Sequence, residues 1–171
     1  YRFCDIGTGS GCIACTLAAE YPNAELVATD ISNDSLDVAK MNAVHLELEK
    51  HITFRDGDMF SALSRESGPF DAIVSNPPYV SQQEMEGLEP ELAYEPRHAL
   101  TDENSGHHFL SILFNECPDW LAEGGHLIVE TGICGLPHAP SYLHQIKTYR
   151  DLAGIIRGGI YRYRPWTGSG S

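Results

Sequence analysis

Positive charge is scarce in this chain: 11 Lys and Arg stand against 24 Asp and Glu, a net charge of −13 over 171 residues. Nucleic-acid affinity is built mostly from Lys and Arg, so such a chain is poorly equipped to grip a phosphate backbone unaided. No apolar run approaches the roughly 20 residues that span a bilayer, and no secretory signal is visible. The five cysteines are odd in number and scattered. They lack the pattern of a disulfide scaffold and suit a reducing cytosol. Cys12 and Cys15 form a lone CxxC at the expected start of a helix and read as small buried residues. Eight histidines are present, yet no His, Cys and Asp set has metal-ligand spacing, so no metal is expected. Neither an internal repeat nor a linker divides the chain.

What remains is an ordinary globular composition, 42% apolar and 20% charged, in a length that supports one domain with a genuine core. The chain opens at Tyr1 without an initiator Met, as a piece of a longer protein does. Its closing Gly168-Ser169-Gly170-Ser171 reads as a flexible tail.

A strand at residues 2–6 runs into Gly7-Thr8-Gly9-Ser10-Gly11, and residues 12–20 have helical spacing with Ile13, Leu17 and Ala18 on one side. A second strand at 24–29 ends at Asp30. Asn33 or Asp34 is the expected cap of a helix running to about Leu46, with Leu36, Ala39, Ala43 and Leu46 facing inward. Residues 52–54 and 71–75 make a third and a fourth strand. The continuous apolar runs at 26–28 and 72–74 suggest strands covered on both faces. The polar stretch 80–101 is long for a compact domain, a length that usually marks function. Residues 105–121 are helical, with Phe109, Ile112, Leu113 and Leu121 as the core face. Gly124-Gly125 leads into a fifth strand at 126–131. Residues 142–146 suit a short helix, and 148–152 with 155–163 suit a terminal hairpin. Strands alternating with helices imply a parallel sheet with helices on both faces.

The chemistry concentrates at strand ends. In Asp5-Ile6-Gly7-Thr8-Gly9-Ser10-Gly11 the glycines permit a tight turn and close approach to a ligand at a helix start. The spacing is G-x-G-x-G, and it departs from both the dinucleotide fingerprint and the phosphate-binding loop. Asp5 would repel a phosphate and welcome a cation. Asp30 stands where open α/β folds place an acid for ribose hydroxyls. Asp58 can accept from an adenine amine, with Met59 and Ile31 as apolar covers. After the fourth strand comes Asn76-Pro77-Pro78-Tyr79. Two prolines cannot continue a strand. The chain leaves the sheet as a stiff arm bearing an amide, free carbonyls and an aromatic ring, suited to hold a planar –NH₂ group.

These motifs, in this order, resemble class I S-adenosylmethionine-dependent methyltransferases of the Asn-Pro-Pro-Tyr type. Asp5–Gly11, residues 74–80, Glu95-Pro96-Arg97-His98-Ala99-Leu100, residues 124–132 and residues 149–154 are similar to the HemK-type enzymes, which modify the Gly-Gly-Gln glutamine of peptide-chain release factors. The resemblance implies a three-layer Rossmann-like α/β fold, with a mostly parallel seven-stranded sheet and an antiparallel last strand. It implies S-adenosylmethionine as cofactor, bound by Asp5, Gly7, Thr8, Gly9, Gly11, Asp30, Ile31, Asp58, Met59 and Asn76. Asn76, Pro77 and Tyr79 would be catalytic, and Asn76, Pro77, Pro78, Tyr79 and Glu95 would meet the substrate. The catalytic domain would occupy residues 1–165, with 166–171 as tail. The partner would be a release factor and the enzyme a cytoplasmic monomer, with no membrane and no direct nucleic-acid contact.

Two departures stand out. The resemblance implies a helical substrate-docking domain before the first strand, which the residues from Tyr1 onward do not include, and residues 134–146 are shorter than the family's helix and connection. Two alternatives remain. An adenine-specific nucleic-acid methyltransferase could use the same arm on a flipped base, although the acidic balance and residues 95–100 weigh against it. A non-catalytic cofactor-binding fragment is the other.

Overall fold

A computed structural model describes residues 1–77, 107–132 and 134–165. Seven strands form one sheet: β1 (Arg2–Ile6), β2 (Glu25–Asp30), β3 (Ile52–Asp56), β4 (Phe70–Ser75), β5 (Leu121–Glu130), β6 (Leu143–Arg150) and β7 (Ile156–Tyr163). Their order is β3-β2-β1-β4-β5-β7-β6. The first five are parallel, and β7 runs antiparallel to both β5 and β6. The expected fold, with its antiparallel last strand, is therefore present.

Side-chain alternation along β1 divides the core in two. Phe3 packs with Ala14, Cys15 and Ala18 of α1 (Cys12–Glu20) and Ala43 of α2 (Asn33–His45). Cys4 and Ile6 point to the other face, toward Leu110, Leu113 and Phe114 of α3 (His108–Glu116), with Ile73, Leu127 and Val129. Three layers follow.

Several boundaries differ from the sequence reading. The inner face of α1 is Ala14, Cys15 and Ala18, with Ile13 and Leu17 only half-buried, because small residues let the helix approach the sheet closely. Cys15 is buried as expected, but Cys12 is exposed. The cap of α2 is Ser32, not Asn33 or Asp34: Ser32 is extended, and its hydroxyl accepts from the Ser35 amide at 3.2 Å. Leu46 lies beyond that helix and is exposed.

The helix expected at 105–121 is shorter. Pro118 cannot donate into an α-helical ladder, and the chain tightens into a 3₁₀ turn at Cys117–Asp119. Leu121 already belongs to β5, which starts earlier than expected because the extra residues 122–125 are taken up in an irregularity of the ladder between Leu121 and His126 while pairing with β4 continues. A Cβ on Gly125 would stand 2.8 Å from the Ala122 carbonyl oxygen and 3.0 Å from that of Phe70, so only glycine passes. The segment 142–146, expected as a short helix, is the beginning of strand β6. Its pairing with β7 from Leu143↔Tyr163 onward overrides the local pattern. The hairpin expected at 148–163 is present. The short connection before it carries no helix among its described residues. Leu136, Ala139 and Tyr142 pack there against the core instead.

Candidate functional site

The carboxyl ends of β1, β2 and β4 meet at one edge of the sheet, and a cleft opens there. It is lined by Ile6, Gly7, Gly9, Asp30, Ile31, Ser35, Gly57, Asp58, Met59, Ser75, Asn76, Pro77 and Phe109. Eight of the residues predicted from sequence thus line one cleft: Gly7, Gly9, Asp30, Ile31, Asp58, Met59, Asn76 and Pro77.

The glycine loop is held from below and from the side. Thr8 is buried; its amide donates to the Thr29 carbonyl at 2.8 Å and its hydroxyl to Asp5 Oδ2 at 2.6 Å. Gly9 has a positive φ of 56°, and a Cβ there would meet nothing within 4 Å, so its backbone faces open space. The Gly9 amide donates to Asp30 Oδ2 at 2.8 Å, while Asp30 Oδ1 accepts from the Ser32 amide at 2.9 Å. Asp30 thereby ties the loop to the end of β2, and each carboxylate oxygen keeps a lone pair for a ligand. Gly11 has a different task. Its φ is +83° and a Cβ would stand 3.0 Å from Ala39 Cβ, so it lets the start of α1 rest on α2.

Asp5, Thr8 and Gly11 are not in the cleft wall. Asp5 is fully buried beneath the loop, and its Oδ1 has no hydrogen-bond partner. Burial pushes its carboxyl up to about 6, with the Thr8 hydroxyl and the Ala14 amide opposing and the Asp30 charge adding to the rise. In the unfolded chain this group titrates near 3.8. Between about pH 4 and about pH 6 the native protein therefore holds a proton that the unfolded chain has lost, and stability falls as pH rises through that window. Above it the cost is fully developed. Asp5→Asn should flatten this part of the profile and gain on the order of 2 kcal/mol near neutral pH relative to wild type. Urea midpoints of both proteins measured across the window check it, and parallel profiles would refute it.

On the far wall, Ser75 is buried and donates to the Ile6 carbonyl at 2.8 Å, which locks the end of β4 to the end of β1. Asn76 follows as an exposed side chain and Pro77 as a buried one. Asp58 and Met59 enter from the turn after β3. Its neighbour Gly57 donates to the Asp30 carbonyl at 3.1 Å. Pro78, Tyr79 and Glu95, together with the loop 80–101 and the tail 166–171, lie outside the described residues.

Five lining residues were not foreseen: Ile6 and Ser75, the strand-end neighbours of the predicted motifs, and Gly57, Ser35 and Phe109. Gly57, in Asp56-Gly57-Asp58, carried a visible signal, a glycine directly after a strand. Ser35 looked like an ordinary first-turn residue of α2. In sequence, Phe109 reads as part of the helix's core face. The first turn of α3 instead brings it half-exposed to the cleft, while Leu110, Leu113 and Phe114 enter the core.

A seven-stranded sheet of this order, with a glycine loop after β1 and an acid ending β2, defines the Rossmann-like methyltransferase class. The chain belongs to the methyltransferase small domain family, whose model matches residues 1–103. It is 38% identical over 160 residues to a release factor glutamine methyltransferase of Rhodopirellula baltica, covering 90% of this chain and 54% of that protein. The protein of the same name from Chlorobaculum tepidum is 43% identical over 161 residues, with coverages of 90% and 54%. The chain thus spans about half the length of these curated relatives. Among solved structures it is similar in fold to TrmN from Thermus thermophilus, with a TM-score of 0.69 at 21% identity, covering 95% of this chain and 43% of that one.

Proposed function

We propose that this chain carries the catalytic domain, residues 1–165, of an enzyme that transfers a methyl group from S-adenosylmethionine to the side-chain amide nitrogen of a protein glutamine. The acceptor is the Gly-Gly-Gln glutamine of a peptide-chain release factor. The observation that carries this reading is the placement of Asn76 and Pro77 on the same cleft as Gly9 and Asp30. The names of the relatives support the acceptor.

The cleft suits the cofactor. The bare backbone at Gly7 and Gly9 leaves room for close approach. Asp30 can accept from ribose hydroxyls with its remaining lone pairs. Ile31, 62% exposed at the cleft, offers an apolar surface to a base. Asp58 stands beside it with an acceptor for an exocyclic amine. When bound, the cofactor supplies an electrophilic methyl on a cationic sulfonium, whose charge the acidic rim of Asp30 and Asp58 favours.

The acceptor is the harder partner, because an amide lone pair is delocalised into its carbonyl. Asn76 Oδ1 and the Pro77 carbonyl can each accept one amide N–H, which fixes the nitrogen in line and favours the positive charge that grows on it. Tyr79 follows in sequence as a ring to stack on the amide plane. After transfer the nitrogen loses its extra proton to water, so no strong base is required.

Incubation of the protein with cofactor and a release factor, followed by peptide mass spectrometry, tests the reading. A gain of one methyl on the glutamine is expected. Methylation of adenine in DNA or RNA, with the release factor untouched, would replace it by the nucleic-acid alternative. Asp30→Ala should weaken cofactor binding about tenfold or more, as the loss of charge-assisted hydrogen bonds implies. Unchanged affinity by calorimetry would remove the ribose role.

A further inference from the structure

Because β7 is antiparallel to both of its neighbours, β6 runs parallel to β5. The turn between β6 and β7 therefore lies at the same end of the sheet as the cleft. The Thr131 amide, just past β5, donates to the Arg157 carbonyl there at 2.9 Å. Three strand spacings separate β4 from β6, roughly 15 Å. That is well inside the footprint of one protein on another.

This turn is built stiff and presents apolar side chains outward. Asp151 Oδ1 accepts from the amides of Ala153 and Ile155, both at 2.9 Å, and Oδ2 from Arg157 Nε at 2.8 Å. The Asp151 amide donates to the Ile155 carbonyl at 3.0 Å, and Arg150 Nη1 to the Gly154 carbonyl at 2.7 Å. The hydrogen bond from Arg157 leads the causes that hold the Asp151 carboxyl below its ordinary range, so the turn stays locked at neutral pH. At its tip Leu152 is fully exposed, and Ile155 is 39% exposed.

Single exposed apolar residues are common and need no explanation. Here two occur on one turn fixed by six hydrogen bonds, the Gly154 amide to the Asp151 carbonyl included, with exposed Arg150 beside them. Order of that kind has already met the entropic cost that a floppy loop would meet on binding. Exposed Lys147 on β6 adds to the positive charge, in a chain whose net charge is −13.

We propose that the β6–β7 turn is a docking element for the protein substrate, with Leu152 and Ile155 entering an apolar socket that carboxylates surround. The proposal rests on the protein-glutamine reading above, and it names the surface through which the substrate protein is held while its glutamine reaches the cleft. The chemistry of the partner follows from the turn: aliphatic tip, cationic flank. A symmetric dimer through this turn is disfavoured, since it would set the same cations against each other.

The test compares wild type, Leu152→Asp and Arg150→Glu on two acceptors, an intact release factor and a short peptide carrying its glutamine. Leu152 has full exposure, so its replacement leaves the fold intact, and circular dichroism verifies this. Leu152→Asp should raise the Kd for the intact protein at least tenfold, as expected of an interface hot spot. Arg150→Glu should slow association in low salt. Peptide methylation and cofactor affinity should not change. Equal binding of the intact protein by wild type and Leu152→Asp overturns the proposal. So does a dimer in light scattering that Leu152→Asp dissolves. If wild type binds the release factor through this turn yet methylates neither acceptor, the functional reading fails while the docking surface stands.

Discussion

Asn76→Ala should lower the rate of methyl transfer by about 10²–10³-fold while leaving cofactor affinity within a factor of about three. Asn76 is exposed in the cleft, directly after the buried anchor of Ser75 to Ile6. Its removal therefore takes away an acceptor without disturbing the sheet. What is lost is an interaction that strengthens as the acceptor nitrogen becomes positive, so the effect falls on kcat and not on ground-state binding. Asn76→Asp separates orientation from charge: it keeps an acceptor and adds a negative charge, and it should retain more activity than the alanine variant. Single-turnover rates with radiolabelled cofactor check both. An alanine variant within tenfold of wild type would mean that Pro77 and other groups orient the acceptor alone.

The second large effect concerns stability, far from the cleft wall. Gly158 of β7 lies opposite Tyr149 of β6 and Glu130 of β5. Tyr149 crosses over the bare glycine so that its hydroxyl donates to the Val129 carbonyl at 2.8 Å. Burial, with the Glu130 charge adding, pushes that hydroxyl up to about 12, and it remains a donor throughout the physiological range. A Cβ on Gly158 would fall 2.0 Å from Tyr149 Cζ and 2.3 Å from the Val129 oxygen. The ring can swing away, but the backbone carbonyl cannot. Gly158→Ala should thus cost about 3 kcal/mol or more, through overpacking and the lost hydrogen bond together. Tyr149→Phe should cost only about 1 kcal/mol. In the double variant the two should not add, since both act on one contact. Urea unfolding measures all three, and a Gly158→Ala protein within about 0.5 kcal/mol of wild type would contradict the geometry.

The parts of the site that were legible in sequence are those where local chemistry and final position coincide. The glycine loop, Asp30, Asp58 and Asn76-Pro77 each stand at, or within two residues of, the end of a strand. A strand end in a parallel sheet fixes both direction and depth, so finding the strands located the cleft. Phe109 escaped because helical periodicity cannot say which half-turn of α3 reaches past the sheet edge. Ser32 escaped because three adjacent residues, Ser32, Asn33 and Asp34, can all cap, and only backbone geometry selects one. The segment 142–146 has a helical pattern but pairs as a strand, since its partner β7 lies more than ten residues further on and pairing, not propensity, decides such strands. Asp5 was foreseen as a cofactor-facing acid. Its burial under the loop comes from the pleat of β1, which turns Asp5 to the same face as Phe3 and α1.

The order of the sheet also constrains how the molecule comes to be made. β7 is last in sequence but sits between β5 and β6, with backbone pairing to both. As the chain emerges from the ribosome, β5 and β6 have no ladder to share, and their edges stay unpaired until residues 156–163 arrive. The β5–β7–β6 side of the sheet is therefore completed late: the short turn lets β6 and β7 close locally as a hairpin, and only the docking of β7 on β5 pairs residues distant in sequence. Until then an apolar β5 waits with an open edge, the state in which nascent chains are most prone to pair with the wrong strand.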